Sequence, residues 1–186
     1  MFSLRPLLPL LFLLLLLVAP ADVTAQSTRL NVTAVGAHAG RSRFECWEVS
    51  APFVSSSQSG ISGTQTTSLG DVSNITYNVI PAGYQSGFHT APVKQWIIVL
   101  NGLAVLTLPG NSSATATTSA GEIGLLFAAD TADVSELGHG AYFPGVSETI
   151  FVQIPTRDGA VPEHRVISED AACSPGEFVQ LRGWAI

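Results

Sequence analysis

The chain has 186 residues, with 14 acidic side chains against 8 basic ones and a formal net charge of −6. That balance excludes nucleic acid and anionic membrane surfaces as electrostatic partners. The length fits one domain, long enough to bury about two-thirds of its unfolded surface without extra staples.

The chain opens with a single basic residue, Arg5, followed by a leucine-rich run from Leu7 to Val18 and small residues at Val23 and Ala25. This pattern reads as a secretory signal peptide over residues 1–25, with Ala21 as a second cleavage option. The alternative is a signal anchor, although the apolar run is short for a full span. Cleavage leaves one domain, residues 26–186, in a secreted, extracellular protein that no longer touches the membrane.

An oxidising route makes Cys46 and Cys173 a disulfide pair by first reading, and two buried thiols by second. Closing a loop of about 127 residues would contribute about 4–5 kcal/mol in the chain-entropy model. Three sequons, Asn31-Val32-Thr33, Asn74-Ile75-Thr76 and Asn111-Ser112-Ser113, are N-glycosylation acceptors on that route and predict exposure at those positions.

Taken in order, the remaining segments read as short strands separated by Gly, Pro and Asn, which favours an all-β sandwich or barrel. Leu30–Val35 and Arg43–Val49 are the first candidates, and the polar stretch Ser55–Ser68 is a loop. From Asp71 to Ile80 the chain alternates, which predicts a half-buried strand with Ile75, Tyr77 and Val79 on one face. Trp96–Leu100 and Leu103–Leu108 flank Asn101-Gly102, the dipeptide favoured in two-residue hairpins because both positions need positive φ. Pro109-Gly110-Asn111 marks another turn before Ala114–Ser119. Ile123–Ala129, Thr149–Ile154 and Phe178–Trp184 complete the set, with helical turns expected within Asp130–Leu137 and Ser168–Ala172.

One stretch carries more than strand patterning. From Gly83 the spacing runs five residues to His89, one to Ala91, three to Gln95 and six to Gly102. This frame resembles the first motif of the cupin superfamily, in which a second His and a Glu stand where this chain has Ala91 and Gln95. Further on, Gly121-Glu122 and Gly138-His139 loosely resemble the second motif, which supplies one more His. The run Phe88-His89-Thr90-Ala91-Pro92, then Lys94-Gln95, then Asp130-Thr131 and Gly138-His139 is similar to a subgroup of small cupins in which Ala and Gln are normal at these places. The resemblance covers about Pro81 to Pro155 and implies a small antiparallel β-barrel, or jelly roll, with a central pocket.

In an extended stretch, residues of one parity share a face. His89, Ala91, Val93, Gln95 and Ile97 would then point together, and the resemblance turns them into the barrel. Tyr84 and Trp96 are further candidate pocket residues. The resemblance implies a divalent transition metal (Mn, Fe, Ni, Cu or Zn) held by His89 and His139, with Gln95 as a weak neutral third ligand. The missing carboxylate would have to come from Asp130 or Glu136. Without a metal, the two His are pocket residues hydrogen-bonded to Gln95, Tyr84 or water.

Other constellations are weaker. His38 and His164 read as surface residues, and Asp130 with Asp133 as caps of a helical turn more readily than as acid–base carboxylates. Trp47, Trp96 and Trp184 read as core or pocket wall. No nucleophile elbow, His-Glu-x-x-His or phosphate-binding Gly loop is present. Three readings stand: a metal-dependent enzyme acting on a small organic molecule, a non-catalytic module binding a small ligand or carbohydrate, and a structural secreted protein, with a homodimer open to it through a sheet edge or apolar face.

Overall fold

The computed structural model describes residues 29–178. The signal-peptide segment lies outside them, as does the strand expected over 178–184 with Trp184, apart from Phe178, which sits in a four-residue helix, Pro175–Phe178. The strands in chain order are β1 (Arg29–His38), β2 (Arg41–Pro52), the short pair β3 (Val54–Ser55) and β4 (Gln65–Thr66), β5 (Thr76–Ile80), β6 (Gln85–His89) and β7 (Gln95–Asn101). They continue with β8 (Leu103–Leu108), β9 (Asn111–Ser119), β10 (Leu125–Ala128), β11 (His139–Tyr142), β12 (Thr149–Pro155) and β13 (His164–Glu169).

Seven strands form one sheet in the order β13-β2-β1-β10-β7-β12-β5, and four form a second in the order β6-β11-β8-β9. The fold is all-β, as the strand patterning predicts. The expected closed antiparallel barrel is not what the described residues form. The two sheets stay separate, and β1 pairs with β10 in parallel, so the large sheet is mixed. Between the sheets Val35, Phe44 and Leu126 from the large one meet Leu106, Leu108 and Ala116 from the small one. The opposite face of the large sheet holds a second core of Val32, Ala34, Trp47, Trp96 and Phe127, against which Phe53 and Leu69 pack from the segment after β2. The Trp96 indole N–H donates to the Leu69 carbonyl at 2.9 Å, fastening that segment down.

The crossing between sheets falls at a position that reads locally as a hairpin. β7 pairs with β10 and β12, whereas β8 pairs with β11 and β9, so Asn101-Gly102 joins two different sheets. Only Gly102 has positive φ, at 85°. A Cβ there would lie 2.7 Å from the Thr149 Cα, and the Thr149 hydroxyl lies 3.2–3.3 Å from the carbonyl and N–H of Leu103. Glycine is required by that close approach rather than by a two-residue turn. The hairpin expected at Pro109-Gly110-Asn111 does form, between β8 and β9, with Gly110 at φ 72°.

The strand before the site has its faces reversed from expectation. Tyr77 and Val79 are exposed, as is Ile75 just before β5, while Asn78 is half-buried and its amide donates to the Phe151 carbonyl at 3.4 Å. The period is right and the sides are exchanged, because β5 is the last strand of the sheet and its apolar residues fall on the face that the segment after β2 leaves uncovered. Asn74 is exposed nonetheless.

Cys46 in β2 and Cys173 beyond β13 form a disulfide, 127 residues apart in sequence. Phe178 packs beside it, together with Ile123 and Ile167. The helical turn expected near Ser168 is instead the end of β13. Glu45, buried in β2, accepts from the Trp47 indole N–H and from Arg43 Nε, both at 2.5 Å. Burial pulls the Arg43 guanidinium down, but the charge and hydrogen bond of Glu45 outweigh it and leave Arg43 above its ordinary value. Among the described residues no helix is long and apolar enough to cross a membrane.

Candidate functional site

A cavity of about 240 Å³ lies between the two sheets. Ile97 and Val99 of β7, Leu126 of β10 and Leu106 of β8 form its apolar floor, with Phe143, Phe151 and Tyr84 among its other walls. Its polar side chains include His89, Gln95, Thr118, His139 and Gln153, and among the described residues no Asp, Glu, Lys or Arg lines it. An apolar cavity with a few converging polar groups is the usual form of a small-molecule site.

The fold brings His89, Gln95 and His139 to this one cavity, although the sequence separates them widely. β6 and β11 are neighbours, and His89 and His139 are direct register partners. Their ring centres lie 5.0 Å apart at an interplanar angle of 45°. The approach depends on Gly138, whose φ is 70° and whose added Cβ would sit 1.9 Å from the His89 carbonyl oxygen. Gln95 begins β7 with its side chain buried on the cavity face.

Each imidazole has one nitrogen already committed. His89 Nδ1 lies 2.9 Å from the Gly87 carbonyl, and His139 Nδ1 lies 2.7 Å from Asp130 Oδ2. A backbone carbonyl and an ionised carboxylate only accept, so Nδ1 carries a proton in each ring, and in the neutral ring Nε2 is the nitrogen with the lone pair. Asp130 is fully buried, and the Ser42 hydroxyl also donates to its Oδ2, at 2.7 Å. It caps no helix. The expected turn does occur, with Val134 and Ser135 N–H groups on the Thr131 carbonyl, but the Asp130 side chain turns away from it to His139.

Several candidates fall elsewhere. Ala91, Ile97 and Tyr84 line the cavity. Val93 is exposed because the chain bends between β6 and β7 instead of running straight, and Trp96 is buried on the opposite face against Phe127. Glu136 and Asp133 are exposed and do not line the cavity, so neither they nor Asp130 supplies a carboxylate to it. His38 is exposed at the end of β1, as its surface reading predicts. His164 is not a plain surface residue, since it stacks on Trp47 at 3.6 Å between ring centres. Among the sequons, Asn74 and Asn111 are exposed, whereas Asn31 is buried in β1 with its amide donating to the Glu177 carbonyl at 3.2 Å. The exposure expected at the Asn31 sequon is therefore not what the structure shows, because β1 packs that side chain inward.

Sequence reading missed Phe143, Phe151 and Gln153 as cavity residues, and Ser42 and Ser135 as the groups behind Asp130. The alternation of Phe151 and Gln153 within Thr149–Pro155 was an available signal for two of them. Among the described residues the only cluster of three metal-ligating side chains of the His, Cys, Asp and Glu types is Cys46, Cys173 and Glu177, whose sulfurs are joined in the disulfide.

No family model and no curated protein matches the chain. A solved structure with partial likeness is a conserved protein of unknown function from Streptococcus pyogenes, 19% identical, with a TM-score of 0.32. The match covers 45% of this chain and 64% of that one, so this chain spans less than two thirds of that neighbour's length.

Proposed function

We propose that this chain is a secreted protein of the cupin fold, a jelly-roll relative, whose cavity holds one divalent transition metal between His89 and His139 and acts on a small organic molecule. The observation that carries this reading is the pairing of two imidazoles, each with Nδ1 bound to an acceptor and Nε2 left over. That is the arrangement in which metal-ligating histidines are held. Two imidazoles bound through Nε2 at about 2.1 Å to one ion have ring centres about 4.6–5.3 Å apart for angles near 90–109°, and the observed spacing is 5.0 Å. Gln95 is the weak third donor. Mn, Fe, Ni, Cu and Zn all suit imidazole, and such an ion would supply Lewis-acid or redox chemistry in the cavity.

The test is metal content by mass spectrometry on protein secreted from a eukaryotic host. The expected result is about one equivalent of a single transition metal, lost in His89→Ala and in His139→Ala while both variants stay folded. Failure of the wild type to retain any of the five metals after incubation would sink the proposal.

A second reading, a non-catalytic module for a small apolar ligand or a sugar, draws on a different observation: among the described residues no carboxylate lines the cavity. With two imidazoles and an amide, the protein offers a dication no negative charge. Binding of a neutral single-ring probe by metal-free protein, with no turnover on metal addition, would favour it. A 150 Å³ cavity accepts benzene, so the larger one here has room for a substituted ring.

A further inference from the structure

The Asp130 carboxylate stands at the end of a hydrogen-bond chain whose direction is fixed throughout. Ser42 at the start of β2 donates to Asp130 Oδ2 at 2.7 Å, which uses its single hydroxyl proton. Ser135 lies 2.8 Å from the Ser42 oxygen and must therefore be the donor there. The Gly138 N–H then donates to Ser135 at 3.1 Å. From the other side His139 Nδ1–H donates to the same Asp130 Oδ2 at 2.7 Å. Asp130 is fully buried and Ser135 nearly so, and Asp130 Oδ1 has no hydrogen-bond partner among the described residues. All the hydrogen bonding of this carboxylate converges on one oxygen.

The geometry points to Asp130 and Ser42 as positioning residues for His139. Ser42 holds the carboxylate in one rotamer, and Asp130 holds the imidazole in the Nδ1–H tautomer. Nε2 is thereby kept as a lone-pair donor to the cavity. The chain closes on itself, because Gly138 both donates its first hydrogen bond and sets the approach of His89 to His139. The Nδ1–H bond to a carboxylate raises the basicity of the ring, so the imidazole is made a better donor at Nε2 than an unsupported one. This inference deepens the metal reading and rests on it for its consequence, though not for the tautomer itself.

The experiment has two readouts. On metal-free protein at neutral pH, the ¹⁵N spectrum of His139 reports which ring nitrogen carries the proton. The wild type is expected to show Nδ1–H alone, and Asp130→Asn a mixture in which the Nε2–H form is clearly populated. Zinc affinity by competition with a chromophoric chelator is the second readout. Asp130→Asn is expected to bind about 10- to 100-fold more weakly, the range seen when such outer partners are removed. Ser42→Ala is expected to fall between it and the wild type, and Ser42→Thr, which keeps the hydroxyl, to recover. An Nε2–H tautomer in the wild type, or a spectrum unchanged in Asp130→Asn, overturns the proposal. So does zinc affinity within twofold of the wild type in both Asp130→Asn and Ser42→Ala. If wild-type protein binds no zinc while the tautomer result holds, the metal reading fails and the positioning role stands.

Discussion

Gly138 and the carbonyl of His89 lie so close that no side chain fits between them. A Cβ at residue 138 would stand 1.9 Å from the His89 oxygen and 2.4 Å from the Thr90 nitrogen, both backbone atoms that cannot swing aside. Gly110 has nearly the same φ, 72° against 70°, but open space around it. Gly110→Ala is expected to cost about 1–2 kcal/mol, the left-handed backbone term alone. Gly138→Ala is expected to cost about 3 kcal/mol or more, since β6 and β11 must part. Urea denaturation compares them, and equal losses would mean that the contact with His89 is not what demands glycine.

Gln95 offers a substitution whose two effects have opposite signs. Gln95→Glu keeps the shape and places a carboxylate at a buried position of a cavity that no charged Asp, Glu, Lys or Arg among the described residues lines. Metal-free protein is expected to lose about 1–3 kcal/mol of stability from that burial. Metal-bound protein is expected to gain tenfold or more in affinity, because the dication then has a charged ligand. Thermal melts with and without zinc read both. A loss in the two conditions alike counts against an ion beside Gln95.

The Cys46–Cys173 bond spans 127 residues, a loop long enough for cross-linking to restrict the unfolded chain strongly. Reduction, or the double change to Ser, is expected to lower stability by about 2–5 kcal/mol. The check is the urea midpoint with and without reductant. A shift worth less than about 1 kcal/mol would mean that the packing of Ile123, Ile167 and Phe178 holds the C-terminal segment without the bond.

Two of the three sequons are placed to carry sugar. Asn74→Gln and Asn111→Gln are each expected to reduce the mass of secreted protein by one enzyme-removable glycan, and Asn31→Gln to leave it unchanged. Intact mass spectrometry before and after deglycosylation gives the count. A glycan on Asn31 in folded protein would contradict the burial of its side chain against Glu177.

Much of this molecule could be read locally, and the failures have one cause. Strand positions such as Thr149–Pro155 follow from alternation and punctuation, and the disulfide follows from two cysteines behind a signal-peptide pattern. His89 and His139 were singled out by their spacing from Gly83 and Gly138. What local pattern cannot specify is which distant strand lies alongside. Asn101-Gly102 reads as a hairpin, but β10 and β12 claim β7 while β9 and β11 claim β8, so the dipeptide becomes a corner. Trp96 follows Gln95 directly and so must face the other way, which becomes legible only once β7 is known to begin at Gln95 after a bend. The carboxylate on His139 was visible as Asp130, but its role depends on Ser42 and on the buried geometry around Oδ2. Composition gives no sign of either.

The parallel pairing of β1 with β10 also sets an order of events during synthesis. β1 and β2 can pair as soon as they leave the ribosome. The other edge of β1 must wait until Leu126–Ala128 has been made, because its register partners Thr33, Ala34 and Val35 meet those residues. Until then the emerging chain carries an unsatisfied sheet edge, with β5, β6 and β7 still lacking their partner strands. Such distant pairings slow folding, and chains that expose strand edges for long are prone to aggregate. The cavity, to which β6, β7, β8, β10, β11 and β12 all contribute, is consequently among the last parts of the molecule to take shape.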